Sequence, residues 1–179
     1  CISEPYITSS YKSYNEMNSN NINDIYIDEE KRIWIANYPE GITIIDNRYK
    51  SYNWIKHSIG NRQSLVNDQV HSVIEDSDGD LWFGTSNGIS LYQSKTGQWH
   101  SFLSSFDHQL KDKNHIFITL CEVSPGIIWA GGYTSGVYKI NKRTLSVEYF
   151  SPYLLSPDNI RPDKYIRDIV KDSKGYICV

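Results

Sequence analysis

The sequence predicts an all-β fold: four-stranded antiparallel β-propeller blades forming a partial ring. Three observations predict it. Trp34, Trp82 and Trp129 recur at steps of 48 and 47 residues, and Cys178 stands 49 beyond the last. Gly41, Gly88 and Gly136 keep the same step. Each period also holds short runs of strand-forming residues separated by turn signals, the signature of radial β-repeats. A seven-bladed propeller at this period needs roughly 340 residues, so the 179 residues supply about half a ring.

The clearest unit runs from Val70 to Tyr92. Val70–Glu75 is a first strand, and Ser77-Asp78-Gly79-Asp80 a turn in which Asp-Gly tolerates positive φ. Leu81–Thr85 is a second, aromatic-rich strand. Ser86-Asn87-Gly88 turns into a third strand over 89–92, and a fourth follows over 98–103. The remaining elements follow from this unit in chain order. Tyr11-Lys12-Ser13-Tyr14-Asn15 duplicates Tyr49-Lys50-Ser51-Tyr52-Asn53, so residues 1–17 read as the end of a preceding blade. Residues 18–55, 66–104 and 115–151 are whole blades, and 164–179 begins another with a first strand over 165–171. No segment has both a helix cap and helical periodicity; residues 109–113 form one turn at most.

Apolar columns precede each Trp position. Twelve residues before it stand Ile22, Val70, Phe117 and Ile166; nine before, Ile25, Val73, Leu120 and Ile169; eight before, Tyr26, Ile74, Cys121 and Val170. Offsets of nine and eight have opposite parity, so both faces of the first strand are apolar. That fits a sheet packed between two neighbours rather than one wetted on a face. Cys121 therefore reads as a buried structural thiol. The Trp column itself reads as inter-blade packing, not as a set of sugar-stacking platforms.

A formal charge of −3 disfavours nucleic acid as a partner. No apolar run reaches the ~20 residues that span a bilayer, and there is neither a signal peptide nor an initiator Met. A chain that starts at Cys1 and stops at Val179 inside a strand pattern reads as cut from something longer. Its end blades should then expose apolar faces, and the isolated piece should self-associate. Cys1, Cys121 and Cys178 have no metal or redox spacing.

Motifs for chemistry are sparse. Asp76-Ser77-Asp78-Gly79-Asp80 places carboxylates at alternate positions, but Gly79 and Asn87 fall wrongly for a calcium loop, so a hairpin turn is the better reading. The same turn resembles the Asp box of sialidase propellers, one residue short. Arg32, Arg48, Arg62, Arg143, Arg161 and Arg167 share no repeat column in which to hold a carboxylate. His57, His71, His100, His108 and His115 lack ligand spacing, and there is no nucleophile elbow or phosphate loop. Neither a catalytic residue, a metal nor a cofactor is expected.

Strand order locates a binding face instead. In a four-stranded meander the second-to-third turns and the inter-blade connections share one face. It carries Tyr38, Asn87 and Tyr133 on the turns and Arg62 on the connection over 54–67, with further connections over 104–114 and 151–163. Variable loops on a repeating scaffold suit recognition, or are solvated connectors. Asn23-Asp24, His71-Ser72, Ile118-Thr119 and Arg167-Asp168 start the innermost strands near the channel mouth, where they bind ligand or hydrate the channel. The candidate ligand residues are Tyr38, Asn87, Tyr133, Asn23, His71, Arg167 and Arg62.

Glu75-Asp76-Ser77-Asp78-Gly79-Asp80-Leu81-Trp82-Phe83-Gly84-Thr85, followed by Asn87-Gly88-Ile89, resembles the two-component regulator propeller repeat. Residues 28–41, 127–136 and 172–179 are looser copies, and Ser64 to Val70 resembles the family's lead-in to the first strand. Glu29-Glu30-Lys31-Arg32 lacks the turn Gly, the Ser124-Pro125-Gly126 turn is short, and Cys178 replaces the Trp. The resemblance implies an extracytoplasmic, periplasmic sensor of a hybrid two-component system, non-catalytic in this segment. Its implied partners are an oligosaccharide or other small ligand, the remaining blades and domains of the same chain, and a second copy in a homodimer. It also implies a histidine kinase absent from these residues. The alternatives are a propeller enzyme, such as a sialidase or polysaccharide lyase, and a protein-interaction propeller.

Overall fold

The computed structural model describes residues 21–46, 51–105, 115–150 and 165–179. Three four-stranded antiparallel meanders follow one another. The first contains β1 (Ile22–Ile27), β2 (Ile33–Asn37), β3 (Gly41–Asp46) and β4 (Ser51–Ile55). The second contains β5 (Val70–Glu75), β6 (Leu81–Thr85), β7 (Gly88–Gln93) and β8 (Gln98–Phe102). The third contains β9 (Phe117–Ser124), β10 (Ile127–Gly132), β11 (Gly136–Asn141) and β12 (Ser146–Phe150). A two-stranded piece, β13 (Val170–Lys171) with β14 (Ile177–Cys178), starts a fourth blade. The architecture is the partial propeller that the repeat period predicts. The N-terminal duplicate at Tyr11–Asn15 and the single turn at 109–113 lie outside the described residues.

Two strand limits differ from expectation. β8 stops at Phe102 because Leu103 takes a left-handed φ of 54°, which breaks the ladder. In the last blade, pairing covers only Val170 and Lys171 rather than 165–171, since β14 offers just Ile177 and Cys178. Ile166 and Ile169 are nonetheless buried, as their columns require.

The core lies between the blades, in three apolar joints. Trp34 and Ile42 pack with Val70, Val73, Leu81 and Phe83 across the first joint. Trp82 and Leu91 pack with Phe117, Leu120 and Ile128 across the second. Trp129 leans on Val137, Ile166 and Ile169 at the third. The Trp column thus packs each blade on its successor. Cys121 sits half-buried beside the third joint, and burial pushes its thiol pKa up. First-strand exposure follows from the same stacking. Ile25 is 48% exposed, whereas Val73, Leu120 and Ile169 at its repeat position are 3–5% exposed, each covered by the preceding blade.

Polar groups lock the aromatic column. The carboxylate six residues before the Trp accepts its indole N–H: Asp28 from Trp34 at 2.9 Å, Asp76 from Trp82 at 2.8 Å. Burial opposes ionisation of Asp28, but the Trp34 and Arg32 hydrogen bonds outweigh it and hold the carboxyl below its usual range. The Asp76–Asp80 segment is a hairpin turn, with Gly79 N–H bonded to the Asp76 carbonyl at 2.9 Å. The cation among its carboxylates is the ammonium of Lys142, from the third blade, which lies 2.7, 2.9 and 2.8 Å from Asp76, Asp78 and Asp80.

Close approach fixes two glycines. A Cβ on Gly84 would stand 2.5 Å from Ser72 Oγ and 2.7 Å from the Phe117 carbonyl. Gly88 has φ +103° and a Cβ there would meet the Phe102 carbonyl at 2.6 Å. Only glycine combines that backbone with that contact.

Candidate functional site at the loop face

The face predicted to carry recognition is built by a bond repeated in three blades. The first residue of each second-to-third turn donates its N–H to the carbonyl before the first strand. Tyr38 bonds Asn21, Ser86 bonds Gln69 and Tyr133 bonds Ile116, each at 2.9 Å. The turns are thereby folded over the strand entries. Beside them the first strand of each four-stranded blade carries an irregularity at the same position. The ladder skips between Ile22 and Asp24, between Val70 and Ser72, and between Phe117 and Thr119. The skipped residues, Asn23, His71 and Ile118, occupy the same repeat column. A bulged residue leaves the ladder and its side chain is re-aimed.

At the first joint this re-aiming makes a cluster. Asn23 Nδ2 donates to the Val70 carbonyl at 2.9 Å and approaches His71 Nδ1 at 3.4 Å. His71 Nε2 bonds Ser86 Oγ at 2.8 Å, and the Tyr38 ring lies 6.0 Å from the imidazole. Burial lowers the pKa of His71. Three sequence-predicted residues, Asn23, Tyr38 and His71, thus come together. Tyr133 and Arg167 form a second group at the joint between the third and fourth blades, through Tyr165. The two tyrosine rings meet edge to face at 4.6 Å, and the Arg167 guanidinium lies 5.3 Å over Tyr165. Tyr133 is 42% exposed, leaving it open to a ligand.

Two candidates join neither group. Asn87 is built into its own turn: its N–H bonds Thr85 Oγ1 at 3.1 Å and its side-chain oxygen accepts from Ser105 N–H at 3.0 Å. Arg62 is exposed on the connection after β4 and joins neither group. The polar neighbours of the bulge column bind across the joints. Asp24 accepts the N–H of Val73 in the next blade at 2.9 Å, and Thr119 Oγ1 donates to Asp168 at 3.0 Å. They are blade-to-blade ties. Tyr26 adds another, its hydroxyl donating to Glu75 at 2.6 Å, with burial and that carboxylate raising its pKa.

Sequence reasoning placed Ser86 on this face without singling it out, and missed Tyr165 and a cleft of about 610 Å³ on the flank between the first two blades. Arg32, Asp46, Trp54, Lys56, Tyr92 and Trp99 are among its lining residues. Its cations are engaged: Arg32 pairs with Asp28 and Glu30, and Lys56 with Glu40. Among the described residues, no His, Cys, Asp and Glu side chains group as metal ligands, and no helix is long and apolar enough to cross a membrane.

Residues 16–38 and 64–87 match the two component regulator propeller family. No curated protein matches the chain. Among solved structures, the extracellular domain of a hybrid two component system, BT3049 from B. thetaiotaomicron, is similar over 90% of this chain and 22% of its own, at 22% identity and TM-score 0.72. The extracellular domain of BT4673 from the same organism is similar over 86% of this chain and 18% of its own, at 21% identity and TM-score 0.63. An ancestral GH74 enzyme is similar at 14% identity and TM-score 0.56, over 86% of this chain and 20% of its own. The chain therefore spans about a fifth of the length of the structures it matches. These likenesses show the fold, a consecutive run of propeller blades.

Proposed function

We propose that this chain, which carries two-component regulator propeller repeats, is part of the extracytoplasmic, periplasmic sensor of a hybrid two-component system. In this reading its blades occupy 18–55, 66–104 and 115–151, with parts of neighbours at 1–17 and 164–179. It binds a carbohydrate breakdown product or other small ligand, and the signal passes to a kinase elsewhere in the protein, acting as a homodimer. The observation that carries it is the paired arrangement on the loop face. Polar bulge residues Asn23 and His71 stand beside Tyr38 at one joint, and Tyr133 stands beside Tyr165 and Arg167 at another. Aromatic edges with amide, imidazole and guanidinium groups suit a hydroxyl-rich ligand. A ligand touching two joints at once would bias the angle between blades, which is what a sensor needs.

The segment itself is read as non-catalytic. Two of the described acidic groups near that face are committed to blade-to-blade bonds, Asp24 to Val73 and Asp168 to Thr119. An enzyme would hold such carboxylates toward substrate. The test is an oligosaccharide panel screened against the complete protein, followed by titration of any ligand bound. Tyr38→Ala and Tyr133→Ala should each weaken binding about tenfold or more, the scale of a lost aromatic contact. Unchanged affinity in both variants, or turnover of a glycoside abolished by one Asp, Glu or His substitution here, would overturn the reading.

A further inference from the structure

We infer that His71 is a proton-sensitive latch between the first two blades: protonation of its Nδ1 breaks the side-chain contact with Asn23 and loosens β1 from β5. Hydrogen-bond roles fix this. Asn23 Nδ2 donates one hydrogen to the Val70 carbonyl at 2.9 Å, which identifies that atom as the amide nitrogen. Its second hydrogen faces His71 Nδ1 at 3.4 Å, so Nδ1 is the acceptor. His71 Nε2 then carries the proton and donates to Ser86 Oγ at 2.8 Å. A proton on Nδ1 would set two donors against each other. Turning the amide to present its oxygen would forfeit the Val70 bond. Either way, one blade-to-blade contact is lost.

Among the described residues, no charged group offsets that loss. The imidazole meets Asn23 of β1, Tyr38 of the β2–β3 turn and Ser86 of the β6–β7 turn. The nearby carboxylates are turned to backbone: Asp24 to the N–H groups of Ile25 and Val73, Asp68 to that of His57. Burial alone acts on the ring, and it lowers the pKa. With the folded value depressed, the latch contributes fully above the unfolded value of about 6.5. Its contribution falls as the pH drops from there through the folded value. The same repeat column holds Ile118 and Arg167 in later blades, and neither can act this way. The latch is thus confined to the first joint. It does not depend on the ligand reading, since it can be read without any ligand.

The experiment is a pH titration of histidine-labelled full chain by NMR, with the His71 signal assigned by loss in His71→Gln. Amide hydrogen exchange in β1 and β5 is followed over the same range. His71 should titrate below about 6.5. Protection at the joint should fall as it does, after correction for intrinsic exchange. Asn23→Asp should move the titration upward, because a carboxylate favours the imidazolium. His71→Gln should hold joint protection flat across the range. Titration of His71 at or above about 6.5, or an equal acid loss of protection in His71→Gln, would overturn the inference. That comparison stands even if Asn23→Asp fails to fold.

Discussion

Replacing Lys142 with Met removes the ammonium that ties the third blade to the Asp76–Asp80 turn of the second. Its Nζ lies within 2.7–2.9 Å of three carboxylates, and its side chain is 9% exposed. Burial works against the charged ammonium, yet the hydrogen bonds to Asp76, Asp80 and Asp78 outweigh it and raise the pKa. Asp76 is fully buried and Asp80 nearly so, while Asp78 is 66% exposed. Deleting one partner of a buried ion pair leaves an uncompensated charge, at a cost of about 3–5 kcal/mol. Here Asp76 keeps the N–H groups of Asp78 and Asp80 and the Trp82 indole. The loss should therefore fall at the low end, about 3 kcal/mol. Asp78→Asn removes only the solvated arm and should leave the unfolding midpoint near wild type. The assay is urea unfolding of the complete protein, followed by tryptophan fluorescence and by hydrogen exchange at the second joint. A loss below about 1 kcal/mol for Lys142→Met, or an equal effect of Asp78→Asn, would refute the account of a buried cation holding the joint.

Trp82→Ala should cost about 3–5 kcal/mol in the same melts, because a fully buried ring and the Asp76 bond go together; a loss under about 1 kcal/mol would remove Trp82 from the core. Gly84→Ala should cost about 1–3 kcal/mol, since its Cβ meets the Phe117 backbone; a neutral effect would mean that the second joint gives way freely. Acid should weaken the first blade through Asp28. Its folded pKa is depressed, so its contribution is present above the unfolded value of about 3.9 and lost as the pH falls through the folded value. Asp28→Asn should flatten that part of the acid profile, and an unchanged profile would count against it. The isolated 179-residue piece should self-associate through the exposed Ile22, Ile25 and Ile27 of β1; a dilute monomer with cooperative melting in light scattering would contradict this.

The ring architecture was legible because blade packing repeats. Each joint needs an aromatic at one strand position and apolar residues in two first-strand columns, so a period near 48 residues stands out even where turns diverge. The Lys142 latch was not legible, because nothing in its own repeat column marks it. It answers an acidic turn in the preceding blade, far away in sequence, while the carboxylate that holds each turn is a local feature. Asp172 takes the N–H groups of Lys174 and Tyr176 as Asp76 takes those of Asp78 and Asp80, whereas Glu122 takes the Gly126 N–H of its own turn and the Ser77 N–H of the second blade's.

The bulge was hidden in plain columns. Its residues, Asn23, His71 and Ile118, share no chemistry, so no side-chain pattern announces it. The apolar columns do carry its trace. Val70 and Val73 face the same neighbour, as do Phe117 and Leu120, and Ile166 and Ile169. Two residues three apart cannot share a face of a regular strand, whose side chains alternate with period two. One extra residue between them restores the parity. The twelve- and nine-residue offsets before the Trp therefore require a bulge between them wherever both lie in one strand and are buried together. The residue at that bulge is released from the ladder at the edge of the loop face. The columns that build the joint thus also choose which side chains reach the candidate site, and in the first two blades those are Asn23 and His71.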